Sequence, residues 1–404
     1  MSEGRPTTAS VPLHVLIVGG GIGGLCLAQG LKQSGISVAV YERDSSAQFK
    51  GQGYRLGIKE DGSRALRECL PQHLFDLAVA TSIRSATRMV FLDHHLRPKF
   101  TKPLPHGERE DSRFGVDRFT LRQVLLAGLE GVVRFGKTCQ GFDQVEGGRV
   151  RARFADGTSA TGQLLVGADG TGSVVRSQLV PDARIDDLHA VIYGKTPITP
   201  ATMAWLPEVL VGTFNRMHGP DGVAMAVATC IRWESLAAAT ARLAPGLRLV
   251  DTPDYLSWTL GPLSDQFRSA DGPTLHRLAQ RMLTGWHPAA RRIVDEADVA
   301  ATFAVTIRSA RPVQRWRAAN VTLLGDAVHT MSPGRGEGAN VALRDAALLR
   351  RRLVDVTNGM PLVQATAAYE TEMLRYGFQA VADSLSKPFA RREGPGRVPT
   401  GRAE

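Results

Sequence analysis

Apolar residues along this chain come in short runs and in helical stripes, and the two alternate. Residues 13–18 form an apolar run, the pattern of a strand buried on both faces of a parallel sheet. A glycine loop follows, then a helical stretch to about Ser34 that Gly35 ends, then a second apolar run at 37–41. Strand, helix and strand within about 30 residues make a β-α-β unit. Residues 61–70 read as helical, and 121–129 carry apolar positions at helical spacing. Residues 84–117 alternate short strand-like pieces with Pro and His turns, His94-His95 beside Asp93 being one of them. From 132 to 165 come short strands with turns at Gly147-Gly148 and Asp156-Gly157, a β-meander. Another buried run, 164–168, ends at Asp169-Gly170. Residues 185–310 are less regular, with strand-like runs around Trp205, Trp233, Trp258 and Trp286. A last buried strand at 321–324 precedes two helices, about 337–356 and 363–386. Residues 1–11 read as a loose arm, and 388–404, rich in Arg, Gly and Pro, as a disordered tail.

Composition narrows the class. The chain has 404 residues, 43% of them hydrophobic and 22% charged. That is an ordinary globular composition, which excludes global disorder and collagen-like repetition. Its length suits two or three domains. The 42 glycines exceed the usual ~7% and suggest backbone packed closely on something. The net charge is +10, but the arginines are scattered. The one dense run, Arg350 to Arg352, reads as a solvated face. With no zinc-finger spacing and no aromatic-basic RNA motif, a nucleic-acid partner is not expected. Cys26, Cys69, Cys139 and Cys230 are far apart and form no CxxC pair, so neither a disulfide framework nor a metal site is expected, and a reducing, cytoplasmic setting fits. Residues 11–31 lack formal charge, but glycines occupy the centre of the stretch and only Arg5 precedes it as a cation. Stable membrane insertion is not expected.

The candidate chemistry begins at Gly19-x-Gly21-x-x-Gly24, between the first strand and its helix. Gly19 allows the tight turn, Gly21 lets a pyrophosphate approach the backbone, and Gly24 lets the helix pack on the strand. The helix start then offers free N–H groups and a positive dipole end. Glu42 lies 18 residues after Gly24, at the end of the second strand, where a carboxylate can accept ribose hydroxyls. The constellation predicts a dinucleotide but does not separate NAD from FAD. Arg43 beside Glu42 suits either a 2′-phosphate or solvent. A second glycine pattern, Gly131 to Thr138, matches GxxxxGK[ST] but lacks the strand before and the helix after that a P-loop needs.

Two later segments also follow buried strands. In Asp169-Gly170-Thr171-Gly172-Ser173, Ser173 suits a helix cap. In the segment from Gly325 to Asn340, glycines strip side chains from a loop just before a helix, Asp326 stands at the strand end, and backbone N–H groups can meet a polar ligand.

Taken together and in order, these segments resemble the FAD-dependent aromatic hydroxylases of the single-component class similar to para-hydroxybenzoate and salicylate hydroxylases. The likeness runs from about residue 13 to 386. The family pattern GDAxHxxxPxxGxGxNxxxxDA is met by Gly325, Asp326, Ala327, His329, Pro333, Gly336, Gly338, Asn340, Asp345 and Ala346. The DG motif is met by Gly167, Ala168, Asp169, Gly170, Ser173 and Arg176, and Arg118 looks like the family's FAD-contacting arginine. The resemblance implies an α/β fold: a Rossmann-like FAD-binding domain with an interleaved β-sheet substrate domain and C-terminal helices. The expected partition is 12–83, 114–184 and 311–360 for FAD, 84–113 and 185–310 for substrate, and a C-terminal helix at 361–387.

The resemblance further implies that Gly19, Gly21, Gly24, Glu42, Arg43, Gly53, Arg118, Asp169, Asp326, Pro333, Gly336, Gly338, Ala339 and Asn340 bind FAD. Asp326 would hold the ribityl chain and 333–340 would lie against the isoalloxazine ring. Glu337 stands where the family often has a neutral residue, and it is expected to point to solvent. NADPH or NADH would reduce the flavin. Dioxygen would then form a C4a-hydroperoxide that hydroxylates an aromatic or polycyclic, polyketide- or alkaloid-like molecule. A phenolic substrate needs its hydroxyl polarised. Arg55, Arg113 and His189 are candidates, each with an ordinary packing or surface role as its alternative. Met203, Trp205, Phe214, Met217, Met225 and Trp233 are candidates for an apolar substrate face or plain core. A monomer or homodimer is expected. Epoxidation and Baeyer–Villiger oxygenation on the same fold remain open, as do a NAD-linked dehydrogenase and a non-catalytic nucleotide binder. The WxWxIP motif of flavin halogenases is missing.

Overall fold

A computed structural model of the chain describes residues 13–47, 54–104, 111–317 and 320–386. The expectations for 1–11, Gly53 and 388–404 lie outside the described residues.

The first apolar run is the central strand, His14–Val18, of a five-stranded parallel sheet. It pairs on one side with Leu164–Gly167, which in turn pairs with Val321–Leu323. On the other side lie Ser37–Tyr41 and then Val133–Arg134. Strands buried on both faces read as unbroken apolar runs, which is why these were legible. Between the first two strands, helix Ile22–Gln33 is buried continuously from Ile22 to Leu31 and packs on the long helix Gly338–Thr357. The meander is a separate three-stranded sheet, Cys139–Val145, Arg149–Phe154 and Ser159–Gly162. The P-loop-like stretch contains strand Val133–Arg134, and its Lys137 is ion-paired with Asp156.

The second layer is a seven-stranded sheet. Its order is Phe303–Ala310, Ile185–Pro197, Tyr255–Leu263, Ala224–Cys230, Phe214–His218, Arg88–Asp93 and Pro98–Pro103. Helices Gly272–Met282 and Pro288–Asp295 cover one face through Ile192, Met217, Met225, Val227, Trp258 and Leu260. Residues 185–310, expected as irregular strands, therefore also hold helices, Pro200–Trp205 and Leu236–Leu243 among them. A two-stranded antiparallel ribbon, Arg55–Ile58 with Phe114–Asp117, stands between the two large sheets. Ile83 bridges it to Arg232, just past the end of a seven-sheet strand. The last helix, Leu362–Leu385, closes on the first core, with Tyr369 O–H donating to the Leu323 carbonyl at 2.8 Å.

Candidate active site

The first glycine loop is built as the spacing requires. Gly19 has φ +110°, and a Cβ there would lie 2.3 Å from the Ala168 carbonyl oxygen. A Cβ on Gly24 would lie 2.2 Å from the Gly19 carbonyl oxygen, so only glycine lets the helix start this close to the turn. Around Gly21, by contrast, nothing lies within 4 Å of a Cβ position. No side chain caps this helix, and its first turn holds no acid. Its leading N–H groups thus have no side-chain cap and carry the positive dipole end.

Glu42 stands beside this start. It accepts the Gly20 N–H at 2.6 Å and the Asp44 N–H at 2.8 Å. Arg122, unforeseen from the sequence, ties the corner together. Its Nε donates to the Gly20 carbonyl at 3.1 Å, and its guanidinium lies 2.9 Å from Asp44 and 3.7 Å from Glu42. The available signal was its position four residues after Arg118 on one helix. Burial and the Glu42 charge push the Asp44 carboxyl up, against the pull of Arg122. Arg43 is exposed.

The second loop meets the first at close range. A Cβ on Gly23 would lie 2.5 Å from Leu324 and 3.2 Å from Ala342, so the opening turns of the two buried helices touch. The Gly338–Thr357 helix also starts without a side-chain cap. Asp326, just past the last strand, is exposed, and no described residue donates a hydrogen bond to it. Its Oδ1 lies 3.9 Å from the Cβ position of Gly338, at the start of that helix.

A buried network holds this loop. Asp345 accepts the Gly325 N–H at 2.9 Å and the Tyr376 O–H at 2.6 Å, and contacts His329 Nε2 at 2.7 Å. Burial alone would lower the His329 pKa, but Asp345 outweighs it and the net shift is upward. Asn340 knots the loop to the ribbon. Its Oδ1 accepts the Lys59 N–H at 2.7 Å, and its Nδ2 donates to the Gly57 and Gly336 carbonyls at 2.8 and 2.9 Å. Pro333 opens a single 3-10 turn that ends at left-handed Gly336, and Ala339 sits in the uncapped first turn. Glu337 does not stand free in solvent as expected, because Lys59 pairs with it and neutralises its charge.

The DG segment is a brace. Asp169 Oδ1 accepts the Ser173 hydroxyl at 2.5 Å and its Oδ2 the Val174 N–H at 2.8 Å, while Ser173 caps the helix through the Arg176 N–H. Arg176 donates to the Ala327 carbonyl at 3.0 Å, and Thr171 meets Thr330 at 2.9 Å, which locks this turn to the Asp326 loop.

On the ribbon, Arg118 donates to the Tyr54 hydroxyl at 2.9 Å and lies over its ring. Tyr54 leans on Tyr193 of the seven-stranded sheet, which stacks on Phe303. Burial lifts the Tyr193 hydroxyl to about 12. Asp117, 2% exposed, caps the Arg118 helix, accepts the Tyr255 O–H at 2.8 Å, and lies 3.5 Å from Lys195 Nζ. Lys195 also sits 4.1 Å over the Tyr255 ring. Lys195, Tyr193, Tyr255 and Asp117 escaped the sequence reading. The signal was the alternation along 190–197, with even positions buried under the helices and odd ones facing the ribbon.

The three weak candidates are scattered. Arg55 leaves a buried Nε without a hydrogen-bond partner beside this cluster, Arg113 pairs with Glu60 at the surface, and His189 is exposed. Of the apolar candidates, Met217 and Met225 are core under the helices, Trp233 is 65% exposed, and Phe214 faces the ribbon side. Among the described residues no group of three or more His, Cys, Asp or Glu could hold a metal ion, and no helix is long and apolar enough to cross a membrane.

Comparison with known proteins bears on this geometry. The FAD binding domain family matches residues 126–384, and the NAD(P)-binding Rossmann-like domain family matches 17–77. The chain is 33% identical to the dual O-methyltransferase/FAD-dependent monooxygenase elcB of Phaeosphaeria nodorum over 85% of its own length but only 40% of that protein. It thus spans less than half of the dual-function relatives it matches. It is 32% identical to the FAD-dependent monooxygenase dbaB of Emericella nidulans, covering 86% of this chain and 88% of that one. Among solved structures, a FAD-containing monooxygenase of Photorhabdus luminescens superposes with a TM-score of 0.78 at 32% identity, over 92% of this chain and 96% of the other.

Proposed function

The chain belongs to the FAD-dependent monooxygenase family, and from that premise we propose that it uses NAD(P)H and dioxygen to hydroxylate a flat aromatic small molecule, of polyketide or alkaloid type. One observation carries the reading: two buried helices begin side by side without side-chain caps, with the Asp326 carboxylate, which no described residue hydrogen-bonds, at their meeting point. A bare anion site would need one such helix start and no carboxylate. An extended ligand with both phosphates and hydroxyls needs both.

The residues fit FAD. The Gly19–Gly24 turn takes the pyrophosphate, Glu42 with Arg122 behind it the adenosine ribose, and Asp326 a ribityl hydroxyl. Residues 333–340 would lie against the flavin ring, and Arg118, at the start of the helix after the ribbon, would contact FAD. Asp169, Asn340 and Asp345 shape the loops. When bound, FAD supplies the reductive activation of dioxygen. The chain's own work is to hold the substrate, exclude water and manage charge. Lys195, anchored by Asp117, is placed to polarise a substrate hydroxyl. Glu337 paired with Lys59 adds no net negative charge to the flavin loop.

Residues 12–83, 114–184 and 311–360 form the cofactor half, and 84–113 and 185–310 the substrate half. The protein works as a cytoplasmic monomer or homodimer, without nucleic-acid or membrane partners.

The test is the visible spectrum of the purified protein, with the released cofactor identified and NADPH and NADH oxidation followed with aromatic phenols. Flavin bands, FAD in the supernatant and substrate-stimulated oxidation are expected. A colourless protein that takes up no added FAD would return the first glycine motif to a NAD-linked dehydrogenase.

A further inference from the structure

The face of the seven-stranded sheet turned toward the ribbon has a profile that alternation and register define together. Tyr193, Thr259, Ala226 and Arg216 stand opposite one another in one row across four strands. Lys195, Ser257, Ala228 and Phe214 form the next row. Their chain neighbours Ile192, Leu256, Trp258, Met225, Val227 and Met217 point the other way, into the helix-covered core. In these two rows the inner strands offer only Ser, Thr and Ala, with Tyr255 and Cys230 closing the next row, while the outer two raise Tyr193 and Lys195 on one wall and Phe214 and Arg216 on the other. With strands ~4.8 Å apart, the walls stand roughly 14 Å apart across three spacings. That floor suits a flat fused-ring molecule and leaves a single ring short of one wall.

The two cations in these walls differ. Lys195 is neutralised by buried Asp117. Arg216 is half-buried, and no described residue gives it a hydrogen bond or ion pair. A partly desolvated guanidinium is normally matched to a carboxylate or a similar planar acceptor. Its neighbours across the strands are Ala226 and Phe91, neither of which can accept.

We propose that Arg216 is the residue that selects the substrate, by binding an ionised oxygen at one end of a flat, fused-ring acid lying in this trough. The inference rests on the monooxygenase reading and deepens it: the substrate is an anion at neutral pH, such as a fused-ring phenolate, enolate or carboxylate. Arg216 contacts the non-reacting end, and its planar fork favours two parallel hydrogen bonds to such a group.

The test uses flavin-loaded protein and two fluorescent probes of one shape, anthracene-2-carboxylate and its neutral carboxamide. Wild type should bind the carboxylate more tightly by roughly ten- to a hundredfold. Arg216→Gln should erase that preference without changing carboxamide binding, and Arg216→Lys should keep part of it. Flavin content, read from the absorption of each variant, reports the fold. A wild type that fails to prefer the carboxylate, or an R216Q protein that keeps the preference, overturns the proposal while leaving the monooxygenase reading intact. Absence of FAD from wild type defeats that reading whatever the probes do.

Discussion

Glu370 shows how a single side chain couples this fold to pH. It is 2% exposed on the last helix, one of its carboxyl oxygens has no hydrogen-bond partner, and burial pushes its pKa from 4.5 up to about 7. Below pH 4.5 both folded and unfolded states hold the proton, and there is no effect. As pH rises toward 7 the unfolded chain ionises first, so stability falls, and above 7 the penalty is constant. Glu370→Gln should therefore leave stability at pH 4 nearly unchanged and raise it at pH 8 by up to about 3 kcal/mol. Urea unfolding at the two pH values measures this, and a gain of equal size at both would refute it. His329 slopes the same way for another reason. Asp345 raises its pKa, so its contribution is complete below its ordinary value of about 6.5 and is lost as pH climbs through the raised one. At this scale the sequence was legible where a residue acts on its own backbone surroundings, as Gly19, Gly24 and the helix cap Ser173 do. It was silent on Arg122, Lys195 and Arg216, because their meaning lies in what faces them from distant elements. Lys195 needs Asp117, which is 78 residues away in the chain.

Among elements, the ribbon and the long helix depend on one another through Asn340. Its side chain satisfies three backbone groups on two segments. Asn340→Ala leaves these groups unpaired in a buried place and should cost about 3 kcal/mol. It should also weaken FAD retention, since the Gly336–Ala339 turn loses its anchor. Flavin loss on gel filtration and the unfolding midpoint check the two effects, and a variant that keeps both at wild-type levels would sink the idea. The helices within 200–295 were hidden for a related reason. Pro200, Pro273 and Pro288 punctuate that stretch like loop residues, yet each stands in a helix's first turn behind a capping side chain, Thr199, Asp271 or His287. The Rossmann strands needed no such decision, because a run apolar on both faces has one structural use here.

For the molecule as a whole, the residues proposed to hold the cofactor come from three chain segments, so a ligand touching all of them should stabilise the fold that joins them. FAD at 100 times its Kd is expected to stabilise the protein by about 2.7 kcal/mol, seen as a rise in the melting temperature of cofactor-stripped protein. An unchanged melting temperature at saturating FAD would mean that the native protein does not bind it. The local geometry of the loops around the five-stranded parallel sheet was determined by sequence alone. Glycine spacing, strand ends and cap residues act over a few residues, where sterics leave few choices. The open face of the seven-stranded sheet was decided only in tertiary structure. A strand has two faces by its period of two, and nothing in 185–263 says which face the helices will cover. Once Gly272–Met282 and Pro288–Asp295 take one face, the other is left with Tyr193, Lys195, Phe214 and Arg216, which no described residue pairs.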